Sequence, residues 1–207
     1  MKKLIIIGAI LIIAGGLAWY FTSSGKTNED TMNQEESTNT TPPADYGDKI
    51  AKIRTNQGTF EIEFYPQDAP KTVENFIRLA ESGYYDEGSF HRVVKDFVIQ
   101  GGDPTGTGSG GESIYGETFE DELNPSAPSF QAGYQKGVVA MANRGPNTNG
   151  SQFFVMLETN PLPNLYTIFG KVRKGQEVVD KIGQVEVDAN DRPIEPIVIE
   201  KVTIENK

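Results

Sequence analysis

The chain of 207 residues contains no cysteine. That excludes disulfides, thiolate catalysis, cysteine-ligated zinc and the acylated cysteine of a lipoprotein anchor. It holds one histidine, His91, so neither a histidine-based triad nor a multi-histidine metal site can be assembled. Basic residues are also scarce: 19 Lys and Arg stand against 29 Asp and Glu, a net charge of -10. Such a surface repels a phosphate backbone, which argues against nucleic-acid binding. A chain without thiols is compatible with an oxidising compartment.

Turn-forming and aromatic residues are what the chain has in number. Its 22 Gly, 12 Pro, 11 Phe and 8 Tyr favour a turn-rich β architecture over a helical bundle. The length fits one domain with extra segments rather than two full domains.

Three segments follow one another. In residues 1–21, Lys2 and Lys3 precede an uncharged run from Leu4 to Phe21. As a helix this run would be roughly 27 Å long, close to the thickness of the hydrocarbon core. It ends in Trp19, Tyr20 and Phe21, which suit a membrane interface. The expectation is one transmembrane helix over residues 4–21, an uncleaved signal-anchor. The alternative is a secretory signal peptide, although its best small-x-small site, Gly16-Leu17-Ala18, lies inside the run. Either way the two lysines stay cytoplasmic and the rest of the chain is exported. The expected location is a single-pass cell-membrane protein with its folded domain extracytoplasmic, or a secreted one if the segment is cleaved. Residues 22–48 are rich in Thr, Asn, Ser and Glu, with Pro42-Pro43 near the end, and read as a disordered spacer.

Residues 49–207 carry the folding signals. Residues 53–65 read as a hairpin around Asn56-Gln57-Gly58, with Phe60, Ile62 and Phe64 alternating against Thr59, Glu61 and Glu63. Pro70 opens a helix whose stripe is Val73, Phe76, Ile77 and Ala80, and Gly83 can end it. Strand-like runs follow at 97–99, 138–141, 153–157, 167–172 and 197–204, with a second helix at 176–182. Two helices on a many-stranded sheet indicate a barrel with capped ends.

Two stretches carry the chemistry. One is Phe90-His91-Arg92-Val93-Val94-Lys95-Asp96-Phe97-Val98-Ile99-Gln100-Gly101-Gly102-Asp103. The other runs from Met141-Ala142-Asn143-Arg144-Gly145-Pro146 through Gly150-Ser151-Gln152-Phe153-Phe154. In order and separation they closely resemble the two signature regions of the cyclophilins, and the resemblance extends over the whole third segment. It implies a mainly β fold, a closed eight-stranded antiparallel barrel capped by two helices. It also implies peptidyl-prolyl cis-trans isomerase activity on proline-containing polypeptides, here unfolded exported proteins whose folding would be assisted.

The residues support such a reaction on their own chemistry. Rotation about an X-Pro bond faces a barrier of about 18–20 kcal/mol set by amide resonance, and no bond need break. No metal or cofactor is required. A catalyst needs a dry pocket and a donor that favours the twisted amide over the planar one. Arg92, permanently charged and presenting a rigid fork, is the best donor available. The resemblance implies the remaining roles. Gln100 holds Arg92; Phe97, Val98, Phe154 and Leu162 line the proline pocket; Gln152, Ala142 and Asn143 contact the peptide, Asn143 largely through its backbone. His91 is structural support beside Arg92. Gly106 to Gly111 is expected to be a flexible rim loop, since neither a strand feeds it nor a helix follows it as a phosphate loop needs.

Two positions depart from the family pattern. Pro161 stands where many relatives place an aromatic, and Tyr166 where many place histidine; tyrosine there is common among bacterial relatives, and Tyr166 is expected to close the pocket as a further substrate-binding residue. These changes predict weak cyclosporin binding. The competing functions are a catalytically weak peptide-binding or chaperone module using the same groove, and a structural membrane protein whose spacer engages a partner. A monomer is expected.

Overall fold

Alternation builds the first hairpin of the computed structural model, which describes residues 46–207. In β1 (Lys49–Thr55) and β2 (Gly58–Phe64), Ala51, Ile53, Phe60 and Ile62 are wholly buried. The next strands are β3 (Gly88–Val94), β4 (Val98–Gly101), β5 (Val138–Met141), β6 (Phe153–Met156), β7 (Ile168–Lys174) and β8 (Val198–Asn206). All neighbouring strands pair antiparallel and close in the order β1-β2-β7-β5-β6-β4-β3-β8. Closure leaves no sheet edge to be protected. The mainly β, eight-stranded antiparallel barrel is therefore as expected.

Three helices, not two, are present among the described residues. The first, α1 (Pro70–Glu81), starts with Pro at its first turn and buries Val73, Phe76 and Ile77 on the barrel. Its N-cap residue, Ala69, offers no side-chain acceptor. Glu122, far along the chain, substitutes for one: its carboxylate accepts from the backbone N–H of Lys71 at 3.0 Å and of Thr72 at 2.8 Å, and from Thr72 Oγ1 at 2.7 Å. Negative charge at a helix N-terminus is also favoured by the helix dipole. The unexpected helix is α2 (Pro128–Ala132), one short turn with no buried residue. It carries no apolar stripe, so sequence periodicity has nothing to register. The last, α3 (Gln176–Ile182), buries Val179 and Ile182.

The anchor expected at residues 1–21 and nearly all of the spacer at 22–48 lie outside the described residues. Among the described residues no helix is long and apolar enough to cross a membrane.

The barrel has two apolar regions, and the second one places the site. The interior packs Phe60, Phe76, Phe90, Phe153 and Phe169 with the aliphatic residues around them. A separate cluster joins Val98, Tyr134, Val138, Ala140, Phe154, Met156 and Ile168. All but Tyr134 belong to the other face of β4, β6, β5 and β7, because side chains alternate along a strand. Phe153 and Val155 point into the barrel while Phe154 and Met156 point out of it. All four residues of β6 are buried. That is why 153–157 reads as an unbroken apolar run rather than an alternating one.

Candidate active site

One row of cross-strand partners forms the floor of the site. Arg92 on β3 pairs with Gln100 on β4, Gln100 with Phe154 on β6, and Phe154 with Ala140 on β5. Partners in register share a face of the sheet. A bulge sets this row: Phe90 pairs with Gly101 and Arg92 with Gln100, so His91 is an extra residue on β3. Without the insertion, a strand that buries Phe90 would bury its i+2 neighbour Arg92 as well. With it, Phe90 and Val93 enter the core and Arg92 is half-buried on the outer face.

A cavity of about 150 Å³ opens on this face. Nine of the ten expected residues line it: Arg92, Phe97, Val98, Gln100, Ala142, Asn143, Phe154, Leu162 and Tyr166. The tenth, Gln152, lies in an adjoining polar cavity that shares Gln100, Ala142 and Asn143 with the first. The expected donor is thus beside the expected apolar wall. Pro161 is exposed and is not a lining residue.

Arg92 is held from two sides. Its Nη1 donates to Gln100 Oε1 at 3.4 Å, and its Nη2 is 3.4 Å from Asp191 Oδ2. Gln100 is oriented in turn, its Nε2 donating to Gln152 Oε1 at 2.9 Å. The Gln152 amide donates to the carbonyls of Gly110 at 2.7 Å and Gly108 at 3.1 Å. Both carbonyls accept, so Gln152 must turn its nitrogen to the loop and its oxygen to Gln100. Gln100 must then turn its own oxygen to Arg92. With its side chain spent on this relay, Gln152 acts on the pocket through Gln100.

The relay ends in the Gly106–Gly111 loop, which is tethered rather than free. The buried Asp103 carboxylate accepts from the backbone N–H of Thr105 at 2.8 Å, Gly108 at 2.6 Å and Gly110 at 3.1 Å, and from both threonine hydroxyls nearby. Burial pushes the Asp103 pKa up, but the hydrogen bonds from Thr105, Gly110 and Gly108 outweigh it and hold it at about 2. Gly102, at φ +86, turns the chain into this loop; a Cβ there would collide with the Ser151 carbonyl. Periodicity is blind to such side-chain-to-backbone tethering, although Asp103 next to a glycine-rich run is a usable cue.

His91 is buried beneath the same loop, its ring within reach of Gly108, and neither ring nitrogen has a hydrogen-bond partner among the described residues. Burial lowers its pKa, partly opposed by the Asp103 charge.

The far wall is pinned by Tyr134, which sequence reading passed over. Its hydroxyl donates to the Tyr166 carbonyl at 2.9 Å and accepts from the Tyr166 N–H at 3.1 Å. Tyr166 meets Phe154 edge-on at 5.6 Å. The Asn143 side chain donates to the Leu165 carbonyl at 2.9 Å and to Asp121, so it braces the rim rather than reaching into the cavity. Tyr134 sits in no alternating run, so only the folded chain reveals it.

The class the fold defines is a closed antiparallel barrel with a side pocket that sets one braced guanidinium beside an apolar wall. Residues 50–204 match the family model described as cyclophilin type peptidyl-prolyl cis-trans isomerase/CLD. The chain is 53% identical over 153 residues to the Neurospora crassa peptidyl-prolyl cis-trans isomerase-like 1, covering 73% of this chain and 91% of that protein. It is 49% identical over 161 residues to the Homo sapiens protein of the same name, covering 77% and 95%. A crystal structure of a Cryptosporidium parvum cyclophilin type peptidyl-prolyl cis-trans isomerase, in the presence of the dipeptide Ala-Pro, matches with a TM-score of 0.71 and 41% identity, covering 76% of this chain and 99% of that one. This chain belongs to the cyclophilin-type peptidyl-prolyl cis-trans isomerases. The kinship to bacterial relatives expected from Tyr166 has no counterpart among these eukaryotic matches.

Proposed function

We propose that the cavity takes the proline ring of an extended peptide against Phe97, Val98, Phe154 and Leu162, and that Arg92 lowers the barrier to rotation. In a planar amide the nitrogen lone pair is delocalised into the carbonyl. At the twisted geometry it is localised on nitrogen and becomes a hydrogen-bond acceptor. A guanidinium directed there binds the transition state more tightly than either ground state, which is what accelerates a reaction. Gln100 keeps the fork in place, Gln152 keeps Gln100 in place, and Ala142, Asn143 and Tyr166 form the channel for the flanking peptide. The observation that carries this reading is the lining of one cavity by nine residues drawn from three strands and three loops.

The substrates we infer are X-Pro segments of incompletely folded exported proteins. Residues 4–21 would tether a monomeric domain to the outer side of the cell membrane. What supports this is the Lys2-Lys3 pair, the apolar run behind it and its aromatic end. Isomerisation suits such a place because it accelerates an existing equilibrium and consumes nothing.

NMR titration with an Ala-Pro-containing peptide tests the pocket. Amide shifts should centre on Phe97, Ala142, Phe154 and Leu162. Shifts confined to another face of the barrel would refute the assignment.

A further inference from the structure

We propose that Asp191 is a positioning residue for isomerisation, the second anchor of the Arg92 guanidinium; this rests on the reading of Arg92 given above and deepens it. Asp191 lies in the connection between α3 and β8, in a turn built from its own polar groups. Asp188 Oδ1 accepts from the N–H of Asn190 at 2.8 Å and of Arg192 at 3.0 Å. The Asp188 N–H donates to the Arg192 carbonyl at 2.8 Å, and the Asp191 N–H to the Asp188 carbonyl at 3.1 Å. Asp191 itself adopts φ 61, in the left-handed region where Asp and Asn are tolerated.

This turn is fastened to the strand that carries Arg92. The Asp191 carbonyl accepts from the N–H of Val93, the residue after Arg92, at 2.8 Å. Its carboxylate is thereby brought to 3.4 Å from Arg92 Nη2, while Gln100 contacts Nη1 from β4. A guanidinium is planar, so acceptors at both terminal nitrogens fix its rotation as well as its location. Gln100 alone would leave it free to swing about one contact. Both members of the ion pair are more than a third exposed, so its contribution to stability is small. Its effect is on where the fork points, and catalysis is sensitive to such placement.

The experiment is a double-mutant cycle on the full-length protein. Asp191→Gly removes the carboxylate with a residue that accepts φ 61 without strain. Asp191→Asn keeps a neutral acceptor at the same place. Asp191→Gly should lower kcat/KM about 10-fold through kcat, with KM nearly unchanged, and Asp191→Asn should fall between it and wild type. In an Arg92→Ala background Asp191→Gly should have no further effect, because the group it positions is gone. Kinetics within twofold of wild type for Asp191→Gly, or the same loss with and without Arg92, would overturn the proposal. Full activity of Arg92→Ala alone would instead overturn the reading of Arg92, so the two failures are distinguishable.

Discussion

Asp103 touches none of the lining residues directly, yet everything that orients Arg92 through Gln100 ends on the loop its carboxylate gathers. Its charged form is the one the loop donors favour. A folded-state pKa near 2 against about 3.9 in the unfolded chain means the folded state releases this proton more readily. Asp103 thus contributes about 2 kcal/mol above pH 5, lost as the pH falls through about 4 towards 2. His91 acts in a higher window. Its folded pKa lies below the ordinary value, so the unfolded chain takes up the proton first and stability declines as the pH drops below about 6.5. Urea unfolding at a series of pH values should show both losses, and Asp103→Asn should be destabilised at neutral pH and lack the lower one. An unaltered acid profile in that variant would show that the loop does not depend on the charge.

At the scale of elements, α1 depends on a cap that no local sequence supplies. Glu122→Ala should lower the melting temperature by an amount equivalent to about 1–2 kcal/mol while leaving kcat/KM unchanged, since the cap lies outside the pocket. A calorimetric scan beside the isomerase assay checks both halves. The same principle explains what the sequence makes legible. Seven strands and two helices stand out, the strands as alternating or short unbroken apolar runs and the helices as apolar stripes. The strand β3 does not, because the bulge at His91 breaks its alternation where Arg92 must turn outward. The helix α2 buries nothing and leaves no pattern. The pocket residues were recognisable as a joint pattern resembling a family. Tyr134 and Asp191 act through contacts made only when distant segments meet, and Asp191 stands in a loop with no apolar rhythm; Asp103 acts within its own loop, through side-chain-to-backbone bonds that periodicity does not register.

For the whole molecule, the closed barrel carries the site on the outer face of four of its strands. The Lys2-Lys3 pair and the apolar run behind it carry the proposed external orientation of the domain. Protease added to intact cells or spheroplasts should cut the spacer or reach the domain. Protection of both until lysis would contradict the external orientation. The most direct test of the central claim is the isomerisation rate of a proline peptide with Arg92→Ala. Removing one preorganised donor should lower kcat/KM roughly 10²–10³-fold, with peptide binding far less affected and the melting temperature close to wild type. Arg92→Lys should recover little, since an ammonium lacks the planar fork. A folded Arg92→Ala protein that isomerises at the wild-type rate would contradict it.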